Sequence, residues 1–296
     1  MILALLAIAA AQAPAMPSSP DPAPPTTDGV TPPRVPDEIV ARFAACTDLV
    51  RSDPERAVEV ASAWRVDGGG IYARQCLGLA YVALERWAPA ATAFEQAARD
   101  AQAAGDVRRG DFWVQSGNAW LAGGEPTRAV QAFDEALAAP GLSNALKGEV
   151  HLDRARALVA LNNPAGARDD LNEGLRLVPE DPFAWYLSAA LARRQGDAAR
   201  ARTDIARARE LAPDNPDIML LAGTLAGEGG DMAEAERLYR RVAEGAPNTD
   251  AGRAAQASLA TARETETPAA APAQPPAPQP ARPAPQPAPT PQSQLR

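Results

Sequence analysis

The sequence has few of the residues on which most enzyme chemistry depends. Its 296 residues include one histidine, His151, and two cysteines, Cys46 and Cys76. No G-x-S-x-G, P-loop, G-x-G-x-x-G, H-E-x-x-H or C-x-x-C motif occurs, so the common nucleophilic, nucleotide-binding and zinc-dependent sites lack sequence support. We therefore expect no catalytic residue, no cofactor and no bound metal, and we interpret His151 as a structural residue.

Positive charge is scarcer than negative charge, and the formal net charge is −8. Nucleic-acid binding needs clustered cations, and no basic stripe interleaved with aromatic residues is present, so we expect no nucleic-acid partner. The acidic pair Asp169 and Asp170 is interpreted as solvent-exposed helix charge. Arginine does cluster at six positions, and most of these have Asp or Glu nearby, as on a solvated helix face. The six are Arg193, Arg194, Arg200, Arg202, Arg207 and Arg209.

Proline is distributed unevenly, and its distribution divides the chain. Of the 30 prolines, nine lie in residues 14–36 and eleven in residues 268–291. We predict one repeat domain over residues 37–263, a Pro-rich linker over residues 12–36 and a disordered Pro/Ala-rich tail over residues 264–296. The tail has almost no large apolar residue, so it cannot bury enough surface to offset its chain entropy.

Residues 1–11 form an unbroken apolar run that is too short to span a bilayer. Ala9 and Ala11 give a small-x-small cleavage pattern that would leave Gln12 first, and a second pattern would leave Met16 first. We predict a signal peptide, export to the periplasm and no stable membrane span after cleavage. The alternative is a buried apolar N-terminus.

A period of 34 residues organises the second half of the predicted domain. Shifting residues 181–214 by this length superimposes four marker pairs: Gly196 and Gly230, Asp197 and Asp231, Ala201 and Ala235, and Pro213 and Pro247. A fixed period of this size is typical of a solenoid built from stacked helix pairs. Gly-Asp predicts the end of one helix and the N-cap of the next, and Pro predicts the end of the second helix.

The repeated pattern resembles the tetratricopeptide repeat family. Its markers recur at the same spacing upstream, in a first unit with Leu77, Gly78, Tyr81, Ala90, Phe94 and Ala97 and a second with Trp113, Gly117, Gly124, Ala129, Phe133 and Ala136. The resemblance implies an all-α fold, a superhelical α-solenoid of tandem helix-turn-helix repeats. We divide the domain into a degenerate repeat (37–70), five clear repeats (71–109, 110–147, 148–180, 181–214 and 215–249) and a capping helix (250–263).

Two short insertions interrupt the period, five residues near positions 104–109 and four near positions 140–147. Each is long enough to extend a helix by about one turn. The alternative is a longer loop, and the sequence leaves both interpretations open.

By the same resemblance, the first helix of each pair lines a concave groove that binds peptides or protein surfaces. The implied partner-binding residues are Tyr72, Gln75, Asn118, Arg156, Tyr186 and Arg193, and further inward positions include Asp111, Glu149 and Arg194. Asn118 and Arg156 occupy equivalent positions on successive repeats and are candidates to bond an extended peptide backbone. The carboxylate clamp of some family members is not reproduced, because Gln75 and Leu79 stand where its first Lys and Asn would be.

The favoured hypothesis is an exported, non-enzymatic scaffold that mediates protein–protein interaction in the bacterial cell envelope. The alternative is an accessory subunit of an envelope enzyme complex or a hydrolase with an unrecognised site. The expected partner is a protein or peptide, and the sequence leaves its identity and the oligomeric state open.

The two cysteines are candidates for a disulfide bond in an exported chain. By the family pattern, Cys46 and Cys76 lie on the first helices of neighbouring pairs, whose axes are expected about 8–10 Å apart. The bond would stabilise the fold by about 3–4 kcal/mol in the chain-entropy model. The alternative is that both are reduced and act as small core residues.

Overall fold

The computed structural model describes residues 35–266, and this range forms thirteen α-helices. The predicted signal peptide, all of the linker except its last two residues and the tail from residue 267 lie outside the described residues. The helices are α1 (Asp37–Ser52), α2 (Pro54–Val66), α3 (Gly70–Ala83), α4 (Trp87–Ala104), α5 (Arg109–Ala122), α6 (Pro126–Ala138), α7 (Asn144–Ala160), α8 (Pro164–Leu177), α9 (Pro182–Arg194), α10 (Ala198–Leu211), α11 (Pro216–Glu228), α12 (Met232–Gly245) and α13 (Asp250–Glu266).

Local residue choices explain where these helices begin and end. Gly196 ends the turn after α9 with a φ of 76°, in the left-handed region that glycine adopts without a steric penalty. The side chain of Asp197 then accepts a hydrogen bond from the backbone N–H of Arg200 in the first turn of α10. Between α11 and α12, Gly230 likewise adopts a left-handed φ, and Asp231 likewise accepts a hydrogen bond from a backbone N–H in the first turn of the next helix.

The helices stack in antiparallel pairs, each packed on the helix that follows it in the chain. Odd-numbered helices are the first members of the pairs, and even-numbered helices are the second. First helices of adjacent pairs also touch, for example α1 with α3 and α9 with α11. The predicted all-α solenoid is therefore confirmed. Across residues 35–266, no helix combines the length and apolar character needed to cross a membrane.

In the five clear repeats, a small residue on the first helix is matched with a larger side chain on the second helix. A β-carbon added to Gly117 would come within 2.5 Å of the ring of Phe133, so the ring occupies the space that glycine leaves. Three pairs combine glycine with an aromatic ring, and two combine alanine with an aliphatic side chain: Gly78 and Phe94, Gly117 and Phe133, Gly223 and Tyr239, then Ala155 and Leu171, Ala189 and Ile205.

The two insertions lengthen helices and loops together. The first makes α4 18 residues long and leaves a turn that begins at Gly105, with a φ of 66°. The second makes α7 17 residues long, with Ser143 accepting a hydrogen bond from the N–H of Leu146 at its start. The last helix, α13, ends at Glu266, three residues beyond the predicted end of the capping helix at residue 263.

The interpretation of Asp170 as surface charge is wrong. Its side chain is 4% exposed, and Arg154 donates to both carboxylate oxygens at 2.8 and 2.7 Å. The Nδ1 atom of His151 lies 2.8 Å from Oδ1 of Asp170, which gives this histidine a structural contact. Burial works to raise the pKa of Asp170, but the hydrogen bonds from His151 and Arg154 outweigh it and hold the pKa below its ordinary value.

A second buried carboxylate lies one period later, at Asp204. It accepts a hydrogen bond of 2.6 Å from the hydroxyl of Ser188, which is fully buried. Arg168 of the preceding second helix donates to the same hydroxyl at 2.7 Å and to the Ser188 carbonyl at 3.1 Å. The third and fourth clear repeats therefore each hold a polar network in their core.

Candidate protein-binding face

The first helices α3, α5, α7, α9 and α11 carry one equivalent position at which side chains of successive repeats can be compared. We call the side of these helices that bears this position the inner face, and its marker residues are Tyr72, Asp111, Glu149, Phe183 and Asp217. Interactions between successive first helices connect this side. In addition to burial, the charge of Asp217 on α11 raises the pKa of Tyr186 on α9. The charge of Asp250 on α13 likewise adds to the effect of burial and raises the pKa of Asp217.

At the N-terminal end of the inner face, Tyr72 is already engaged. Its ring packs edge-on against Phe43 of α1, with ring centroids 5.8 Å apart. The guanidinium of Arg108 lies 4.8 Å from the ring centroid and donates to the Tyr72 hydroxyl at 3.1 Å. Arg108 is itself paired with Asp106 at 2.6 Å, and its hydrogen bond lowers the pKa of Asp106. Both the ring and the hydroxyl of Tyr72 therefore already have contacts within the fold.

The central predicted residues differ in how free they are. Asn118 on α5 is exposed, and its carboxamide makes no hydrogen bond within the described part of the chain. Arg156 on α7 donates to Asp153 at 2.8 Å, one turn away. Oε1 of Gln75 is buried without a hydrogen-bond partner among the described residues. Asn118 is thus the predicted residue most available to a partner.

At the C-terminal end, Tyr186 and Arg193 have close neighbours. Tyr186 stacks on Phe183, with centroids 5.9 Å apart and ring planes inclined by 19°. Burial, and then the charge of Asp217, raise the pKa of Tyr186. Arg193 donates to Oε1 of Glu228 on the next first helix at 2.8 and 2.6 Å. Phe183 is 44% exposed, so an aromatic surface remains open there.

Three carboxylates of the inner face have no salt bridge within residues 35–266. They are Asp111, Glu149 and Asp217, one on each of α5, α7 and α11, and we call them the acidic row. Burial raises the pKa of each, although Glu149 and Asp217 keep much of their surface exposed. Neighbouring acids add to the shift, Asp153 and Asp181 at Glu149 and Asp250 at Asp217.

The inward positions predicted from the sequence include Asp111 and Glu149 but not Asp217 or Asp153. The signal for Asp217 is present in the sequence, because it occupies the same repeat position as Asp111 and Glu149. Asp153 is half-buried beside Arg156; burial raises its pKa, and Arg156 works in the opposite direction. Its burial depends on packing of the folded array, which the repeat period does not report.

The cysteines come together as a disulfide at the N-terminal end. Cys46 on α1 and Cys76 on α3 are bonded across a sequence separation of 30 residues, with their Cα atoms 6.3 Å apart. Both are fully buried beside Leu77 and Ala61, in the cluster that joins the first two helix pairs.

The single histidine and the buried serine of the fourth clear repeat both have structural partners within the described residues. His151 is held by Asp170, and the hydroxyl of Ser188 lies in the core between Arg168 and Asp204. Across the described range, no group of three or more His, Cys, Asp or Glu side chains is placed to hold a metal ion. The inner face presents exposed amide, aromatic and carboxylate groups, which can bind a polypeptide.

Family profiles described as tetratricopeptide repeat match residues 77–143 and 152–216, and a second such profile matches residues 192–259. The chain belongs to the tetratricopeptide repeat family, whose members act as scaffolds for protein or peptide partners. No curated protein is a significant match to the sequence.

Solved structures support the same fold. The chain is similar to PilF of Pseudomonas aeruginosa, with 19% identity, a TM-score of 0.58 and coverage of 75% of this chain and 98% of PilF. The chain is also similar to PilW, a widely conserved type IV pilus biogenesis factor, with 17% identity, a TM-score of 0.61 and coverage of 74% of this chain and 98% of PilW. For a thermophilic repeat protein of Thermus thermophilus, the identity is 20%, the TM-score is 0.51, and the match covers 65% of this chain and 100% of that protein. At these identities the likeness establishes the fold alone.

Proposed function

We propose that this protein is an exported, non-enzymatic scaffold that binds a protein partner of the bacterial cell envelope through its inner face. The apolar run at residues 1–11 supports export and a periplasmic location. The similarity to a type IV pilus biogenesis factor is in keeping with a role in envelope assembly.

The observation that carries the proposal is the acidic row. Asp111, Glu149 and Asp217 stand on three of the first helices with raised pKa values and without a salt bridge among the described residues. Most other carboxylates of the array do have a cation, for example Asp100 with Arg74 and Glu180 with Arg207. Arg108 works against burial at Asp111, but no salt bridge within the described range neutralises any of the three carboxylates. Negative charge that the fold partly desolvates in this way is a complement for a positively charged partner segment.

Six residues complete the proposed site: Tyr72, Gln75, Asn118, Arg156, Tyr186 and Arg193. Asn118 supplies a free carboxamide near the middle of the face, where an extended peptide backbone can accept and donate hydrogen bonds. The rings of Tyr186 and Phe183 supply apolar contact area at a low cost in side-chain entropy. The partner segment is thus expected to be extended, cationic and flanked by apolar residues.

The test uses peptides selected from a random phage-displayed library on the full chain, with affinities measured by fluorescence anisotropy. We expect the selected peptides to be rich in Lys and Arg. The triple variant Asp111→Asn/Glu149→Gln/Asp217→Asn should weaken binding at least about fivefold, or about 1 kcal/mol. The difference should shrink at high salt, because mobile ions screen exposed charges.

The matched control is Glu135→Gln/Asp169→Asn/Glu244→Gln, which removes the same number of exposed charges from the second helices α6, α8 and α12, again without a salt bridge among the described residues. It should bind like the wild type. The double variant Asn118→Ala/Arg156→Ala should also lose at least about fivefold in affinity, and Asn118→Ala alone, at an exposed position, should leave helicity and melting temperature nearly unchanged. Equal binding by the acidic-row variant and the control would rule out the inner face. Loss of binding on deletion of residues 264–296 alone would assign recognition to the tail.

Export and the disulfide are tested on protein purified from the producing cells. N-terminal sequencing should find Gln12 or Met16 as the first residue, and cytosolic protein that retains Met1 would contradict export. Mass spectrometry without reductant should show Cys46 and Cys76 bonded, whereas two free thiols in exported protein would exclude the bond.

A further inference from the structure

A pocket of about 220 Å³ opens where α7, α8 and α9 meet. Its walls combine apolar side chains with two kinds of hydrogen-bond donor, and they are formed by Val159, Asn162, Pro164, Leu191, Arg194 and Gln195. Asn162 has a φ of 56°, in the left-handed region that asparagine tolerates better than most residues, so the turn after α7 carries its carboxamide at this point.

The guanidinium of Arg194 is uncommitted, in contrast to that of its neighbour. Arg193 is paired with Glu228, whereas Arg194 makes no hydrogen bond or ion pair within the described residues. The Asn162 carboxamide is likewise without a hydrogen bond there. Gln195 is held in place, because its amide donates to the Pro164 carbonyl at 3.5 Å and its Oε1 accepts from Arg168 at 3.3 Å. A second guanidinium therefore lies beside the pocket wall.

We propose that this pocket binds a carboxylate next to an aliphatic side chain, supplied by an aspartate or glutamate within the partner segment. Arg194 donates to the carboxylate in the forked geometry that suits two oxygens, and Asn162 adds a neutral donor. Val159, Leu191 and Pro164 take up the adjacent aliphatic group. The inference rests on the proposed function in one respect: it adds an acidic residue to a partner segment that is otherwise cationic.

The position of the pocket decides between a side chain and a chain end as the source of the carboxylate. It lies between the C-terminal ends of α7 and α9, near the middle of the array of six helix pairs. Helix pairs continue on both sides of this point, so an extended segment that crosses the C-terminal ends of α7 and α9 can run on over neighbouring pairs. An internal acidic side chain meets the pocket in that arrangement, whereas a C-terminal carboxylate would require the partner to end halfway along the array.

The experiment is a titration of the full chain, labelled with ¹⁵N, with short blocked peptides that are acetylated and amidated. One peptide contains Leu-Glu-Leu and the other contains Leu-Gln-Leu. The Leu-Glu-Leu peptide should shift the side-chain N–H signals of Arg194 and Asn162, with an affinity about tenfold or more above that of the amide peptide. A third peptide, which ends in Leu with a free carboxylate and contains no acidic side chain, tests the other source.

The variant Arg194→Ala should abolish the shift at Asn162. The matched control is Arg202→Ala on α10, which removes an equally uncommitted charge and should leave the titration unchanged. Equal binding of the two blocked peptides, an unchanged titration of Arg194→Ala or tighter binding of the free-carboxylate peptide would each overturn the proposal. The signals report on the pocket directly, so the result stands whether or not the acidic row binds selected peptides.

Discussion

The helix pairs α5–α6 and α7–α8 are neighbours with the same backbone plan, yet they fill their interiors in different ways. The first places Gly117 against the ring of Phe133, with the buried Ser116 donating to the carbonyl of Ala91 at 3.1 Å. The second places Ala155 beside Leu171 and sets Arg154 against the buried Asp170. An aromatic ring fills the interior of the first pair, whereas an aliphatic side chain and an ion pair fill that of the second.

Corresponding positions in the array make this difference interpretable. The place of Arg154 and Asp170 is taken by Leu77 and Ala93 in the first clear repeat, by Ser116 and Ala132 in the second and by Ser188 and Asp204 in the fourth. The tetratricopeptide repeat backbone therefore accepts apolar, polar and ionic pairs at one site. An ionic pair gains little over an apolar one but is costly to break, so the ionic repeats are the more sensitive to single substitutions at this site.

The largest expected effect is in the aromatic repeat. Phe133→Ala removes a fully buried ring that fills the space beside Gly117, and glycine cannot fill the cavity that remains. The free energy of unfolding should fall by about 4 kcal/mol. Urea unfolding followed by circular dichroism measures the loss. A loss below about 1 kcal/mol would show that the ring does not hold the two helices of this pair together. Truncating a buried aromatic side chain normally costs more than this, because the surrounding structure only partly collapses into the cavity.

The next effect tests the ionic repeat. Asp170→Ala leaves Arg154 and His151 without their shared acceptor, and stability should fall by about 3 kcal/mol. The double variant Arg154→Leu/Asp170→Ala installs the pair found at Leu77 and Ala93, and it should recover most of this loss. Chemical unfolding of the two variants decides the point. A double variant as unstable as the single one would mean that the third clear repeat requires the ionic pair.

A smaller effect is expected from exchanging the crossing residues. Gly117→Ala forces a β-carbon against the Phe133 ring and should cost about 2 kcal/mol by overpacking. The double variant Gly117→Ala/Phe133→Leu reproduces Ala155 and Leu171 and should be more stable than the single one. Melting temperatures provide the comparison. If Gly117→Ala melts at or above the wild-type temperature, the ring has room to move and the matched packing is not required.

The smallest effect is a difference in pH dependence. The folded-state pKa of Asp170 is lowered, so its contribution to stability is complete above the unfolded-state pKa of about 3.9 and is lost as pH falls through the folded value. The Arg154→Leu/Asp170→Ala variant should lack this acid-dependent loss. Urea unfolding between about pH 6 and pH 3 measures it. Parallel curves for the variant and the wild type would show that the ionic pair does not contribute to acid sensitivity.

The period and its marker residues predicted the helix pairs and their caps because these depend on neighbours within one repeat. Burial of Asp170 was not predicted, because the repeat markers do not include its position and its burial depends on the particular side chains of His151 and Arg154 on α7. Aligning Asp170 and Asp204 with Ala93 and Ala132 would have revealed the unusual position. The pocket at Arg194 was not predictable either, since it forms only where α7, α8 and α9 meet.

The bond between Cys46 and Cys76 makes the two ends of the array differ in their resistance to unfolding. A solenoid can fray from either end, because each repeat is held only by its neighbours. Here a covalent link fastens α1 to α3, and α2 lies inside the closed loop. Under thermal agitation or a pulling force, unravelling is therefore directed to begin at α13 and to proceed backwards. Reduction of this bond would remove the difference between the two ends.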